Sequence, residues 1–343
     1  MKVRRTMGIA ALAWTAGAWG VASANDPWPA EAVADAVNLT PIEGPIPNEF
    51  YADMSGAFWN PTTRRLWVER NKGPAKVWVL VEDGFGSFKV EDRGGNRGEW
   101  TGFGDLEDIT QADLNSDVVY LMIEGEERIK SYDMSVYGTA ILLHDWNTRP
   151  FLPLAGELGA EGLTFVPDSA LVSAGFVDST GTPYVSTEGL GGLFFVGHQN
   201  GGALFVFDLN LNGTFKFVGE YRTSYDETAG LAFDRSTGDL WVWHSGNNDT
   251  LEKMSLASTP VTGQSYRNMV SLKIYNGPDH MNNEGIALMG IEDCVGGHRS
   301  FFMATDNGGA QSLTWYRQFT DGCDGGSNPA PPPPTNVKRS DTR

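Results

Sequence analysis

Short apolar runs broken by polar turns recur along this chain, and two of the segments align without a gap. Ser55-Gly56-Ala57-Phe58-Trp59-Asn60-Pro61 continues to Leu66-Trp67-Val68, and Ala229-Gly230-Leu231-Ala232-Phe233-Asp234-Arg235 continues to Leu240-Trp241-Val242. Three looser copies follow the same plan. Leu106-Glu107-Asp108-Ile109 precedes Val118-Val119-Tyr120-Leu121; Ala160-Glu161-Gly162-Leu163-Thr164-Phe165 precedes Leu193-Phe194-Phe195-Val196; Asn283-Glu284-Gly285-Ile286-Ala287 precedes Phe301-Phe302-Met303. Each copy reads as a strand, a turn and a second strand, with one or two further β-like runs rich in Val, Phe, Trp and Tyr behind it. No long stretch has helical periodicity.

Three or four strands per unit, repeating at roughly 50–70 residues, predict propeller blades. The fold class expected is all-β, a five-bladed β-propeller. The fifth unit offers only three strands, so a segment near 36–42 is expected to supply the fourth and close the ring. Six blades are possible only if the stretch between Phe165 and Leu193 hides one; it reads as a loop insertion. Trp59, Trp67, Trp78, Trp241 and Trp243 read as packing between blades rather than as a sugar platform.

The ends differ from the middle. Lys2, Arg4 and Arg5 precede an apolar run from Ile9 to Val21, and Ala22-Ser23-Ala24 fits a cleavage site, so residues 1–24 read as a secretory signal peptide. No later run is long enough to span a membrane. Residues 25–324 are expected to form the propeller and 325–343, with Pro331–Pro334, a disordered tail or linker. In an oxidising compartment Cys294 and Cys323 are expected to pair. The chain is thus expected to be secreted, to the periplasm or beyond, and monomeric. Its 43 acidic against 25 basic residues give a formal charge of -18, which argues against nucleic acid and anionic lipid as partners.

The first strand of each blade lines a propeller's channel, so Ser55, Glu107, Glu161, Ala229 and Glu284 should gather at one mouth. Three converging carboxylates repel one another. A hard cation relieves that conflict, and calcium takes six to eight oxygens. Ser55, Glu107, Glu161 and Glu284 are therefore the expected metal ligands; the plainer reading is that these side chains only bond backbone amides at strand ends. The second strands end on the same face. Arg70, Asn71, Glu124, His198, His244 and Asn307 form a candidate crown for a small-molecule or surface ligand, with the histidines as acid and base. Each is also readable as an ordinary turn residue.

The ordered motifs Ser55-Gly56, Asp105-Leu106-Glu107-Asp108-Ile109, Glu161-Gly162-Leu163, Ala229-Gly230-Leu231-Ala232-Phe233-Asp234 and Glu284-Gly285-Ile286 resemble the SdiA-regulated family. Phytase-like (esterase-like) propellers share the Glu-Gly-Leu and Glu-Gly-Ile pieces, and the order of the ligand positions is similar to that of five-bladed calcium-activated nucleotidases. The resemblance spans about residues 50–320. It implies a calcium-dependent hydrolase of phosphate or other esters. Two positions depart from it: Ala229 replaces a serine, with Thr228 expected to face the other side of the strand, and Asp108 replaces a glycine, there to add a carboxylate near the site or to face water. The absence of a recognisable nucleophile leaves a second reading, a non-catalytic binding or adhesion module with a structural calcium.

Overall fold

The computed structural model describes residues 25–43, 50, 53–71, 73–153, 159–246, 248–278, 282–306 and 311–323. The segments read as signal peptide and tail, and Asn307, lie outside them.

The strands fall into five antiparallel meanders of four, the third and fourth joined at their outer edges where Tyr221 and Arg222 pair in parallel with Arg267 and Asn268. The first runs Met54–Asn60, Arg65–Arg70, Lys76–Glu82 and Phe88–Val90, with Glu99–Thr101 added to its third strand; the second runs Leu106–Thr110, Val118–Ile123, Arg128–Val136 and Thr139–Asn147. The third is Ala160–Pro167, Gly192–His198, Ala203–Leu209 and Phe215–Arg222; the fourth is Gly230–Asp234, Asp239–His244, Thr250–Pro260 and Arg267–Asn276. The fifth has Asn283–Leu288, Arg299–Thr305 and Leu313–Phe319, completed by Val37–Asn38 from the other end of the chain. Val37 pairs with Trp315 and Asn38 with Thr314. This closing strand is shorter than the 36–42 expected. The Thr40 amide donates to the Asn38 side chain at 2.9 Å, and Pro41 has no N–H for a ladder, so the chain turns into a 3₁₀ helix at Thr40–Glu43.

The first strands of the five meanders touch one another in a closed circuit, which makes this a propeller-like β fold. Five buried hydrophobic clusters each fill the space between two neighbouring sheets, the fifth and first included. Because both faces of each sheet are covered, the central strands read as unbroken apolar runs. In Asp239–His244, Leu240 and Val242 pack towards the third sheet while Trp241 and Trp243 pack towards the fifth, as a two-residue period requires. Each large side chain so buried contributes roughly 1.5–3 kcal/mol. All five tryptophans of the sequence pattern are buried in these clusters.

The stretch between Phe165 and Leu193 adds no sheet. It holds the one α-helix among the described residues, Asp168–Ala174, ended by Gly175 in the left-handed conformation. Seven residues are too few for a periodicity signal, and only Leu171 of the helix is buried. The rest of the insertion is pinned by the buried Asp208, which accepts hydrogen bonds from Tyr184 Oη (3.0 Å), Ser186 Oγ (2.8 Å) and the Thr187 amide (2.7 Å). No helix among the described residues is long and apolar enough to cross a membrane.

Cys294, in the turn between the first two strands of the fifth sheet, is bonded to Cys323 after the third, with Cα atoms 5.8 Å apart and the two residues 29 positions apart in sequence. Replacing both by serine is expected to lower stability by roughly 3–4 kcal/mol in the chain-entropy treatment. Denaturant titration of the oxidised protein and the double variant measures this; equal midpoints would show that the bond adds no stability.

Candidate functional site

Four of the five innermost strands shift register at their ligand positions. The breaks fall between Met54 and Ala57, at Glu107 between Leu106 and Asp108, between Ala160 and Leu163, and between Asn283 and Ile286. The residues passed over are Ser55, Glu161 and Glu284, each with the glycine after it, and Glu107 alone. A bulge breaks the alternation of the strand and re-aims a side chain. Here it turns the polar residue inwards. The fourth strand, preceded by Ala229, keeps an unshifted register from Gly230 to Asp234. Thr228 is fully buried and packs its methyl against Gly197 of the third sheet, away from the axis.

Glu107, Glu161 and Glu284 are all buried, and each offers a carboxylate oxygen within 4.8 Å of the others. A buried acidic cluster of this kind can bind a metal ion. Burial is the main cause that raises the pKa of all three, and the Glu161 charge adds to it at Glu107 and Glu284. Glu161 itself is pushed up to about 8 by burial and then by Glu124, while a hydrogen bond with Glu107 pulls it down. Asn282 Nδ2 donates to Glu284 Oε1 at 2.8 Å, while Glu284 Oε2 has no hydrogen-bond partner. Ser55 is fully buried. Its hydroxyl lies near enough to Glu284 to pull that pKa down against burial, yet it completes no hydrogen bond of its own. Orphaned oxygens at such depth are costly, and here they point at one place.

A second triplet, Asp105, Glu107 and Glu124, meets the same 4.8 Å limit and shares Glu107 with the first. Asp105 opens the second inner-strand motif but was not expected as a ligand. Nor was Glu69, which stands one residue before the end of the second strand of the first sheet, is fully buried, and has no hydrogen-bond partner for either oxygen. The Gly56 backbone N–H lowers its pKa without completing a hydrogen bond; burial, then Asp108, raise it far more.

Glycine at the other inner positions has a steric cause. A Cβ on Gly230 would stand 1.9 Å from the Glu284 carbonyl oxygen, and one on Gly285 would stand 2.2 Å from that of Ser55. Asp108 breaks this run of glycines, and it neither faces water nor joins the triplets. Its carboxylate accepts hydrogen bonds from the Ile109 amide at 2.8 Å and from the Leu163 amide of the next sheet at 2.7 Å. The Leu231 and Ala57 amides also pull its pKa down, against burial that raises it. Asp108 therefore ties inner strands together at the axis.

The crown residues are mostly engaged. Arg70 is buried, donates to the Pro74 carbonyl at 2.8 Å and lies over the Trp78 ring. Asn71 is buried, and its amide donates to the Asp53 carbonyl at 2.9 Å. Glu124 packs on Gly159, where a Cβ would come within 2.5 Å of it. His198 is fully buried; its Nδ1 accepts from the Asn200 amide at 3.0 Å, and burial lowers its pKa to about 4. His244 is also fully buried, with Nδ1 at 2.6 Å from the Glu227 carbonyl and Nε2 at 2.9 Å from Glu252. Both histidines are thus held inside the protein.

No protein-family model matches the chain, and no curated protein matches it. Among solved structures it is similar to the glutaminyl cyclase of Myxococcus xanthus, at 10% identity and a TM-score of 0.44, covering 79% of this chain and 91% of that one. It is also similar to a functionally unknown protein from Desulfotomaculum acetoxidans, at 10% identity, a TM-score of 0.38 and coverage of 81% and 73%. A third likeness is to the periplasmic gluconolactonase PpgL of Pseudomonas aeruginosa, at 14% identity, a TM-score of 0.36 and coverage of 71% and 59%.

Proposed function

We propose that the chain is an extracytoplasmic five-bladed β-propeller that holds calcium at its axis through Ser55, Glu107, Glu161 and Glu284. The observation that carries this reading is the buried triplet of carboxylates within 4.8 Å of one another, beside a fully buried serine hydroxyl that completes no hydrogen bond. The donors are all oxygen, which favours a hard cation over zinc or copper. The closed circuit of five inner strands supports the blade count, and the signal-like leader and the disulfide support the compartment.

The activity we propose is metal-assisted hydrolysis of a phosphate ester or other ester, as the inner-strand motifs imply. Bound calcium would supply a Lewis acid for the scissile group. The chain's own contribution is charge. Asp105 and Glu124 flank Glu107 and repel an anionic ester, so such a substrate binds only when the cation offsets them. A second reading, a binding module with a structural cation, is favoured by the inward burial of His198 and His244, which leaves neither as acid or base.

Glu161→Gln removes one charge from the cage without changing its shape. Calcium affinity by titration calorimetry is expected to fall at least about tenfold, and turnover of an aryl ester or phosphate panel to fall with it. Unchanged calcium affinity in the variant would remove the site. Intact calcium binding with no turnover by the wild type would select the binding module.

A further inference from the structure

Arg235 follows the fourth inner strand at the end remote from the carboxylates. Its Nη2 donates to the Gln111 carbonyl at 2.9 Å and the Ala112 carbonyl at 3.2 Å, and its guanidinium lies over the Phe165 ring, 5.6 Å from the centroid. It therefore crosses from the fourth inner strand, past the third, to the end of the second. Among the described residues it forms no ion pair. The nearby carboxylates are committed elsewhere: Asp234 to Arg299, Asp239 to Lys253 at 3.1 Å, and Asp113 to the Asn115 amide of its own turn at 2.9 Å. Burial lowers the Arg235 pKa to about 10, so the side chain stays cationic at neutral pH.

A largely enclosed cation that feels the Asp113 charge but makes no ion pair among the described residues is unexpected in a chain with 43 acidic and 25 basic residues, because burying a charge is costly unless it is paired. Arg235 also lines a groove of about 430 Å³ between the helix Asp168–Ala174 and the turn 236–239. The other walls are mostly small and hydroxyl-rich, with Ser169 and Ser173 on the helix and Thr237 on the turn. The one carboxylate among the described residues of the lining, Asp239, is neutralised by Lys253 at 3.1 Å. Arg235 also borders a smaller neighbouring cavity that includes Glu292, which does not line this groove.

We propose that this groove binds a small ligand bearing an oxyanion, with Arg235 taking the anionic group and the Ser169, Ser173 and Thr237 hydroxyls taking its polar remainder. A planar guanidinium suits carboxylate and phosphate geometry. The site lies at the opposite end of the inner strands from the carboxylate cluster and does not depend on a metal there.

The test is a thermal melt in excess chelator, with inorganic phosphate or acetate added against a chloride control of equal ionic strength. Phosphate or acetate is expected to raise the melting temperature of the wild type by about 2–4 °C at saturation; the larger of the two shifts tells a tetrahedral from a planar anion. The shift should vanish in Arg235→Gln and persist in Glu161→Gln. Ser173→Trp fills the groove without touching the arginine's own contacts and should also abolish it, which decides the matter if Arg235→Gln does not fold. No shift in the wild type with either anion, or an undiminished shift in Ser173→Trp, overturns the proposal.

Discussion

In excess chelator the protein should lose thermal stability as the pH rises from about 4.5 to about 8, and calcium should reverse that trend. Glu107, Glu161 and Glu284 all have pKa values raised in the folded state, Glu161 to about 8 against an ordinary value of 4.5. A group whose pKa is raised on folding binds its proton more tightly in the folded chain. Its contribution is fully present below the unfolded pKa and is lost as the pH passes the folded one. Without a cation the three carboxyls therefore favour the fold in acid and oppose it near neutrality. A cation binds only their ionised forms, so its stabilisation grows with pH. The gap between the calcium and chelator melting curves should widen over this window, by more than about 5 °C at its upper end. Parallel curves across the window would mean that these carboxyls do not share a cation.

Asp234→Ala should cost about 3–5 kcal/mol, although Asp234 stands at the end of its strand remote from the carboxylate cluster. Asp234 and Arg299 are both essentially inaccessible to solvent and meet at 2.5 Å between the fourth and fifth sheets. Arg299 also donates to the Asp321 carbonyl at 2.9 Å and the Met289 carbonyl at 3.1 Å. Removing the aspartate leaves a buried guanidinium whose remaining hydrogen-bond partners are the two carbonyl oxygens. Asp234→Leu with Arg299→Met removes both charges and should recover part of the loss, since an apolar pair of similar volume avoids the desolvation cost, while the Ser236 and Thr237 amides that donate to Asp234 at 2.9 and 3.3 Å lose their partner. Denaturant midpoints of the single and double variants measure both effects. A loss below about 1 kcal/mol in Asp234→Ala would show that the gap admits water.

The repeat of a short strand, a polar turn and a second strand was enough to place the sheets, because a two-residue period with both faces covered leaves an unbroken apolar run such as Leu240-Trp241-Val242-Trp243. The three glutamates were legible for the same reason, since they stand at equivalent places in successive repeats. What escaped was whatever depends on one strand approaching another. The bulges that aim Glu107, Glu161 and Glu284 leave no mark in composition. Glu69 and Asp105 look like ordinary strand-end acids until neighbouring sheets close over them. Asp108 shows the limit most directly: glycine stands at the other inner positions because backbones crowd the axis, and only the folded circle reveals that amides there await a carboxylate. His198 and His244 looked exposed because they end strands, yet each is drawn inward, one by a local amide and the other by Glu252 on the adjoining strand.

The short pairing of Val37–Asn38 with Leu313–Phe319 has a kinetic meaning. Its partners are far apart in sequence, so the last sheet cannot be completed until residues 37 to 315 have all been synthesised. Bringing such distant segments together carries a large loop-closure entropy, and folds dominated by distant contacts assemble slowly. The growing chain is therefore held in an open, unsealed form while it is made.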